Sequence, residues 1–456
     1  MAKFSTMSLA ELTRPEGYDC ACGKHHAVAL PWIRIERGAL NALPEALRAV
    51  DARHPFVVCD DNTYRAAGAR VEEVLKGAGV PFQTYIVPCR HDRIAPSEWE
   101  LGSMMMHFDP ACDFILGVGS GVINDLCKVF AHAAGRKSGI VGTAPSMDGY
   151  ASNSSSMIVN GVKTTLYNRV PEAILADTDI MKNAPMRMLR AGLGDMLAKY
   201  ISICEWRISH LVTGEYYCEE VAKLVRRSLK KCVDAAAGLP NRDSAAVGAI
   251  AEGLILSGMA MGFAEVSRPA SGLEHYFSHM WEMMALERGH KSDLHGIQVG
   301  VGTKLTMQIY QKILRLTPDR ARAMAVPENF DAAAWEAQVR RIFGKTAPQI
   351  LQIEEKTHKN DPQKHAARVE KLIGHWDEVL SIIREELPSY DFIIGVMRAA
   401  GLPMTPAGIG VSLADTKDAL LGARDIRDKY LSCSMLWDLG YLNDFVQAIE
   451  MEANQI

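Results

Sequence analysis

The sequence has no CxxC pair, no regular cysteine spacing, no repeat of fixed period and no low-complexity linker, and each absence removes a class of protein. Its ten cysteines (Cys20, Cys22, Cys59, Cys89, Cys112, Cys127, Cys204, Cys218, Cys232 and Cys433) are scattered over 456 residues. Such scatter excludes a small secreted disulfide scaffold, and reduced thiols in a cytoplasmic setting are expected. The N-terminal stretch MAKFSTMSLAELTRPEGYDC lacks a basic segment followed by an apolar one, and no later stretch approaches the roughly 18 uncharged apolar residues of a membrane span. Neither export nor membrane insertion is expected. An excess of positive charge is missing too: 50 Lys and Arg against 54 Asp and Glu leave a formal charge of −4, too balanced for the counterion-releasing surface of a nucleic-acid binder. With 48% hydrophobic and 23% charged residues, the composition excludes a disordered or fibrous chain.

What is present is an alternation. PWIRI (31–35), FVVCD (56–60), FQTYIV (82–87), DFILGV (113–118) and SGIVGTA (138–144) predict strands, and stretches such as NTYRAAGARVEEVLKGAG between them predict helices closed by glycine. Strands alternating with helices predict an α/β domain with a mostly parallel sheet covered on both faces. Asn160-Gly161 between two β-rich runs predicts a hairpin, because both turn residues must take positive φ. After AILAD (173–177) strand signals cease, and RMLRAGLGDMLAKYISICEWRISHLV, EYYCEEVAKLVRRSLKKCVDAAAG and SAAVGAIAEGLILSGMAMGFAEV carry helical apolar spacing. An all-α second domain is therefore expected from a boundary near 178–185, with a ligand-binding cleft at that boundary.

Five places carry residues suited to chemistry. Gly117-Val-Gly119-Ser120-Gly121-Val122-Ile-Asn-Asp125 follows a strand and opens a helix, where missing side chains and unpaired N–H groups favour a phosphate. Val122 stands where a GxGxxG pattern has its last glycine, and an ordinary strand-to-helix turn also takes glycine. Thr143 and Ser146, after the next strand, offer a second phosphate or ribose contact. Asp60, at the end of its strand, suits either the ribose hydroxyls of a dinucleotide, favouring NAD over NADP, or the cap of the next helix. In the helical half, His275 and His279 share one helix face and His295 follows, while Asp195 and Lys199 share another, where the carboxylate needs a partner such as Lys199 or a metal. One Asp and two His around a divalent cation leave positions open for a substrate oxygen, and beside a dinucleotide that combination points to hydride transfer. Cys20-Ala-Cys22-Gly-Lys-His25-His26 forms the remaining Cys/His cluster. Its four donors are too close together all to reach one tetrahedral ion, and with no CxxC or HxxxH nearby no structural metal is expected there.

GSGVINDLCK, TAPSMDGYAS, AGLGDMLAK, SGLEHYFSH and LHGIQVGVGT, in this order, resemble the polyol-phosphate branch of the iron-containing alcohol dehydrogenase superfamily, most closely the sn-glycerol-1-phosphate dehydrogenases. The likeness runs from about residue 30 to 310, with a weaker echo in LGARDIRDKYLSCSMLWDLGYL (421–442). The resemblance implies a dehydroquinate synthase-like fold: an N-terminal extension (1–29), a dinucleotide-binding α/β domain (30–180) and an all-α C-terminal domain holding metal and substrate (181–456). It implies Asp195, His275 and His295 as ligands of one divalent ion, Zn²⁺ before Ni²⁺ or Fe²⁺. It places Gly119, Ser120, Gly121, Val122 and Asp125 in a pyrophosphate loop, Thr143 and Ser146 in a second cofactor loop, Ser152 at a further cofactor contact and Asp60 at the ribose of NAD(P). Asp148, Asp195 and His279 become the substrate-contacting and catalytic residues. Many relatives carry a histidine where Lys199 stands, so a three-residue metal site is expected, and Lys199 could instead offer charge to a phosphate. The activity implied is reversible reduction of dihydroxyacetone phosphate to sn-glycerol 1-phosphate in a homo-oligomer, with Lys163, Arg268 and Lys291 as cationic candidates for the phosphate. Alternatives are a glycerol dehydrogenase on the unphosphorylated polyol, a dehydroquinate-synthase-like lyase, or a binding role without catalysis suggested by Cys20-Ala-Cys22 and the long region 315–410. That region is expected to be an extra helical pair with a solvated charged face.

Overall fold

In the computed structural model, residues 3–90 and 93–452 are described. Two short strands, β1 (Tyr18–Asp19) and β2 (His25–His26), pair antiparallel ahead of the main sheet. That sheet contains β3 (Trp32–Glu36), β4 (Pro55–Asp60), β5 (Gln83–Val87), β6 (Phe114–Gly119) and β7 (Lys137–Gly142). The hairpin β8 (Ser154–Val159) and β9 (Val162–Tyr167) stands apart, and β10 (Ala173–Asp177) completes the sheet in the order β3-β10-β7-β6-β4-β5. Every neighbouring pair in it is parallel. All residues of β6 and β10 are buried, the pattern of strands covered on both faces. The hairpin turns at Asn160 (φ 52°) and Gly161 (φ 75°), as its Asn-Gly requires.

Strand order determines where a ligand can bind. From β4 the chain crosses outward to β5, then returns to the other side of β4 to lay down β6 and β7. Reversal of direction opens a crevice beyond the carboxyl ends of β4 and β6, where open α/β sheets bind nucleotides. Asp60 ends β4 and Gly119 ends β6, so the two candidates flank this crevice.

Beyond Asp177 the described residues form helices and loops only. Region 315–410 differs from expectation: it holds not one helical pair but six α-helices, Arg320–Met324, Ala332–Phe343, Ala347–Thr357, Pro362–Gly374, Trp376–Glu386 and Tyr390–Ala400. Several present one buried stripe, such as Val339, Ile342 and Phe343, and each stripe requires a packing partner. The helix Ser244–Ala264 is long and apolar enough to cross a membrane, yet 78% of its most apolar window is buried inside the structure, so it reads as a core helix.

The chain divides into two compact units, Met1–Met196 with Cys218–Ser267, and Leu197–Tyr217 with Arg268–Ile456. In the first, Leu116, Val118, Val57, Cys59 and Leu175 of the sheet pack with Leu40, Leu43, Leu47, Val71 and Leu75. There too the helix Met186–Leu197 approaches the loop after β7 so closely that a Cβ on Gly192 would collide with the Pro145 carbonyl oxygen. Backbone cannot yield as a flexible side chain does, so the glycine is a steric requirement. Gly192→Ala should lower stability by about 3 kcal/mol or more. Gly77→Ala, at a helical position with nothing within 4 Å of the added methyl, should raise it by about 0.5–1 kcal/mol. Denaturant unfolding of both variants checks the pair.

Candidate active site

In the first unit the glycine-rich turn is built as the sequence suggests. Gly117 and Gly119 lie where a Cβ would meet Ile140 Cδ1 at 2.8 Å and Ile123 Cβ at 2.6 Å, so strand and helix pack through them. Helix Gly121–Ala133 starts here with Val122 in its first turn, and Ser120 is its N-cap without a capping side-chain bond. Instead the Ser120 hydroxyl lies 2.6 Å from Ser146 Oγ and donates to the Ala144 carbonyl at 3.3 Å. The Thr143 N–H donates to the Gly119 carbonyl at 2.9 Å, tying the second loop to the first. Tyr150, which no sequence signal singled out, donates its hydroxyl to the Ala144 carbonyl (2.7 Å) and to Ser120 Oγ (3.2 Å). Burial pushes the Tyr150 phenol up, so it remains a donor.

Asp125 and Ser152 meet through Lys128, a second residue to which the sequence assigned no role. Its buried ammonium lies 3.1 Å from Asp125 Oδ1 and donates to Ser152 Oγ at 3.2 Å and the Gly149 carbonyl at 3.3 Å. Asp125 Oδ2 accepts from the Ser156 N–H at 3.0 Å. Asp60 forms a capping box: Oδ1 accepts the Thr63 N–H at 2.7 Å, and the Thr63 hydroxyl binds back to the Asp60 N–H at 2.9 Å. Thr63 is thus the partner that the capping reading of Asp60 requires.

Asp148 and Asp195 come together in this unit. The Asp148 N–H donates to Asp195 Oδ2 at 3.0 Å, and the Ser257 hydroxyl donates to Asp148 Oδ2 at 2.9 Å. Asp195 is fully buried. The backbone N–H is thus a partner for the carboxylate beyond the two the sequence suggested. Gly258, where a Cβ would lie 2.8 Å from the Asp148 carbonyl oxygen, lets the helix carrying Ser257 reach this loop.

In the second unit, helix Leu273–Glu287 carries His275 and His279, and helix His295–Ile313 begins with His295. Their ring centroids are 6.2 Å (275 to 279), 5.3 Å (275 to 295) and 5.6 Å (279 to 295) apart. The helices approach where a Cβ on Gly302 would lie 2.5 Å from the Glu274 carbonyl oxygen. His275 Nδ1 lies 2.7 Å from Glu274 Oε1, so an Nδ1–H donates to that carboxylate and Nε2 is left as a ligand atom. His295 Nδ1 lies 3.0 Å from the Ser278 hydroxyl. Glu282, absent from the sequence reading although one turn from His279, offers a carboxylate within 4.8 Å of ligand atoms on His279 and His295. Buried carboxylate support and imidazoles presenting Nε2 are the donors a divalent ion of zinc type takes.

Two buried cations of this unit have carbonyl partners. Lys199 begins a new helix, Lys199–Thr213, and donates to the Ala270 carbonyl at 3.1 Å. Arg268 has every guanidinium nitrogen engaged, by Glu215, the Tyr430 carbonyl (2.9 Å) and the Ser209 hydroxyl (3.0 Å). With its donors committed, Arg268 is a structural cation lining a cavity of about 370 Å³ together with Lys359, Arg368 and Arg424.

A family profile described as iron-containing alcohol dehydrogenase matches residues 34–185. The glycerol-1-phosphate dehydrogenase [NAD(P)+] of Halalkalibacterium halodurans is 35% identical over 299 residues, 65% of this chain and 75% of that one. The enzyme of the same name from Bacillus velezensis is 32% identical over 401 residues, 87% of this chain and 89% of its own. The chain belongs to the glycerol-1-phosphate dehydrogenase family. Among solved structures, glycerol dehydrogenase of Schizosaccharomyces pombe superposes with a TM-score of 0.60 at 15% identity, covering 95% of this chain and 94% of that one, a likeness of fold. The family's iron-containing alcohol dehydrogenase architecture, a parallel-sheet unit followed by helices, is the one expected.

Beneath the imidazoles of this family member lies a buried acid pair. Glu205 accepts from the Leu273 N–H (2.8 Å) and the Ser432 N–H (2.9 Å), and its carboxyl is pushed up to about 7 by burial first and by Glu274 second. An acid raised in the folded state contributes stability that is complete below its ordinary value near 4.5 and is lost as pH rises through 7. Glu205→Gln should therefore flatten the decline of melting temperature between those values, as scanning calorimetry across that range would read.

Proposed function

We propose that this chain interconverts dihydroxyacetone phosphate and sn-glycerol 1-phosphate by hydride transfer with NAD(P), assisted by one divalent metal. The observation that carries the reading is the 30–35% identity to several curated glycerol-1-phosphate dehydrogenases over most of the chain. The parallel sheet and the imidazole cluster supply the kind of chemistry those names require. In this reading residues 30–180 bind the dinucleotide and 181–456 bind metal and substrate. Backbone N–H groups of Gly119, Ser120, Gly121 and Val122 at the start of helix Gly121–Ala133 receive the pyrophosphate. Thr143, Ser146 and Ser152 line the cofactor, while Asp125 fixes Ser152 through Lys128. Asp60 uses one oxygen as a cap and offers the other to ribose hydroxyls; its charge repels a 2′-phosphate, which favours NAD.

Asp195, His275 and His295 form the metal-ligand set in this proposal. A bound divalent ion, Zn²⁺ before Ni²⁺ or Fe²⁺, would supply Lewis acidity toward the ketone oxygen. Glu274 holds the His275 ring so that Nε2 faces outward, and the Asp148 N–H fixes the Asp195 carboxylate. The Asp148 carboxylate, steadied by Ser257, accepts a substrate hydroxyl. His279 moves a proton at an imidazole nitrogen or binds the second hydroxyl. Lys163 and Lys291 remain cationic candidates for the phosphate. A cytoplasmic homo-oligomer belongs to the same proposal.

The test is NADH oxidation by metal-replete and chelated protein with dihydroxyacetone phosphate, dihydroxyacetone and no substrate. Turnover is expected on the phosphate ester, with chelation abolishing it; activity on the free ketone alone overturns the substrate assignment. Asp195→Asn should lower kcat/KM by about 10³-fold, corresponding to roughly 4 kcal/mol of transition-state stabilisation.

A further inference from the structure

Far from the imidazoles in sequence, the first unit gathers a second donor set. Cys20 and Cys22 flank a tight turn between β1 and β2, closed by the Cys20 N–H to the Lys24 carbonyl (3.1 Å) and the Gly23 N–H to the Cys20 carbonyl (3.1 Å). Gly23 takes φ 85°, a conformation that excludes most side chains there. His26 follows in β2, and Cys218, the N-cap residue of helix Glu219–Ala235, meets them from 192 positions away. The expectation of no metal at Cys20–His26 rested on two cysteines and two histidines crowding one ion. In the structure His25 turns aside, its ring nitrogens 2.8 Å from Asp19 Oδ1 and 2.8 Å from the Glu16 carbonyl oxygen, and Cys218 takes the fourth place.

We propose that Cys20, Cys22, His26 and Cys218 form a structural zinc site of the Cys₃His type. Zn–S bonds of about 2.3 Å and Zn–N bonds of about 2.0 Å place tetrahedral ligands about 3.8 Å apart, sulfur to sulfur, and about 3.5 Å, sulfur to nitrogen. Cys20 and Cys218 Sγ are 3.6 Å apart, Cys218 Sγ and His26 Nε2 3.6 Å, and Cys22 Sγ and His26 Nε2 3.2 Å. All four donor atoms lie within 4.8 Å of one another, and none of the cysteines forms a disulfide. The imidazole is supported from behind: His26 Nδ1 lies 2.6 Å from the Phe263 carbonyl oxygen in the last turn of helix Ser244–Ala264. An Nδ1–H donated there fixes the tautomer that leaves Nε2 to a metal, as metal-ligating histidines generally require. It also satisfies one carbonyl left over at the helix end.

The site sits where a cross-link has the most to hold. Residues 4–26 reach the helical part of this unit through the Phe4 ring stacked on Phe263 at 4.9 Å and through Arg227, which donates to the Ser5 (3.0 Å) and Met7 (2.7 Å) carbonyls. A metal clip between positions 20–26 and 218 closes a loop of nearly two hundred residues, so its effect on the unfolded ensemble is large. The set supplies four protein donors, three sulfurs and one nitrogen, which suits a structural and not a catalytic ion.

Metal analysis of the purified full chain tests this independently of the active site. In the His275→Ala variant, which removes a proposed catalytic ligand, about one zinc per chain should remain, released by a mercurial thiol reagent and not by brief chelation. Adding Cys218→Ser should remove that zinc and lower the melting temperature by several degrees. If the double variant fails to fold, Co²⁺ exchanged into the otherwise unchanged His275→Ala protein decides: intense tetrahedral d–d bands with thiolate-to-cobalt charge transfer are expected. A cobalt spectrum lacking thiolate charge transfer, zinc content unchanged by Cys218→Ser in folded protein, or a Cys20–Cys218 disulfide in freshly isolated chain each overturns the proposal.

Discussion

A carboxylate with no exposed surface must be met by donors, or its burial costs several kcal/mol, and Asp195 imposes that condition on the first unit. The Asp148 N–H meets it, on a loop that returns from β7. Reaching that loop requires backbone to approach backbone. Gly192, three residues before Asp195, removes the side chain that would strike the Pro145 carbonyl, and Gly258 does the same for the helix bearing Ser257. The two glycines, the serine and the aspartate pair are therefore one steric and electrostatic arrangement, and the loop after β7 runs through the middle of it. Ser146, the residue after Pro145, is in turn bound to Ser120 at the glycine-rich turn. The loop after β7, the glycine-rich turn and the acid are thereby positioned by the same contacts.

The second unit solves a related problem with charge in place of close approach. Glu274 supports His275 but has no exposed surface, and Glu205 lies near enough to raise its own affinity for a proton. Burial, and the Glu274 charge after it, make Glu205 hold its proton more tightly than an exposed carboxyl does. Gly302 allows the helix that starts at His295 to lie against the Glu274 backbone, so the ring spacings near 5–6 Å follow from helix packing and not from loop conformation. Sites carried on helices in this way are held more firmly than sites carried on loops.

Much of this was legible from the chain because the signals are local. Strand-to-helix alternation, the Asn160-Gly161 turn and the glycine-rich stretch after β6 each depend on a few neighbouring residues, and the structure places them within a residue or two of expectation. The histidine pair at 275 and 279 is local as well, one helical turn apart. What stayed hidden depends on the third dimension. Lys128 reads as an ordinary helix lysine until its ammonium is seen buried among Asp125, Ser152 and the Gly149 carbonyl. Glu274 and Glu205 are separated by an entire helical hairpin in sequence, and the helices of 315–410 exceed the expected pair because their apolar stripes are short and interrupted by charge.

Cys218 shows the same limit most sharply. Spacing rules for metal sites assume that ligands come in short paired runs, since a hairpin or a helical turn brings two donors together at little entropic cost. Cys20-x-Cys22 and His26 satisfy half of that logic, and on their own they are an incomplete set. The missing ligand arrives on a helix N-terminus fixed by unrelated packing of helices Glu219–Ala235 and Ser244–Ala264, the latter also supplying the Phe263 carbonyl that orients His26. Once the helix pair exists, its two ends provide both a ligand and its support, so only the hairpin must be added for the set to close. A cluster assembled by that route has no contiguous motif to find, and its detection depends on burial and distance, the two properties a linear pattern does not carry.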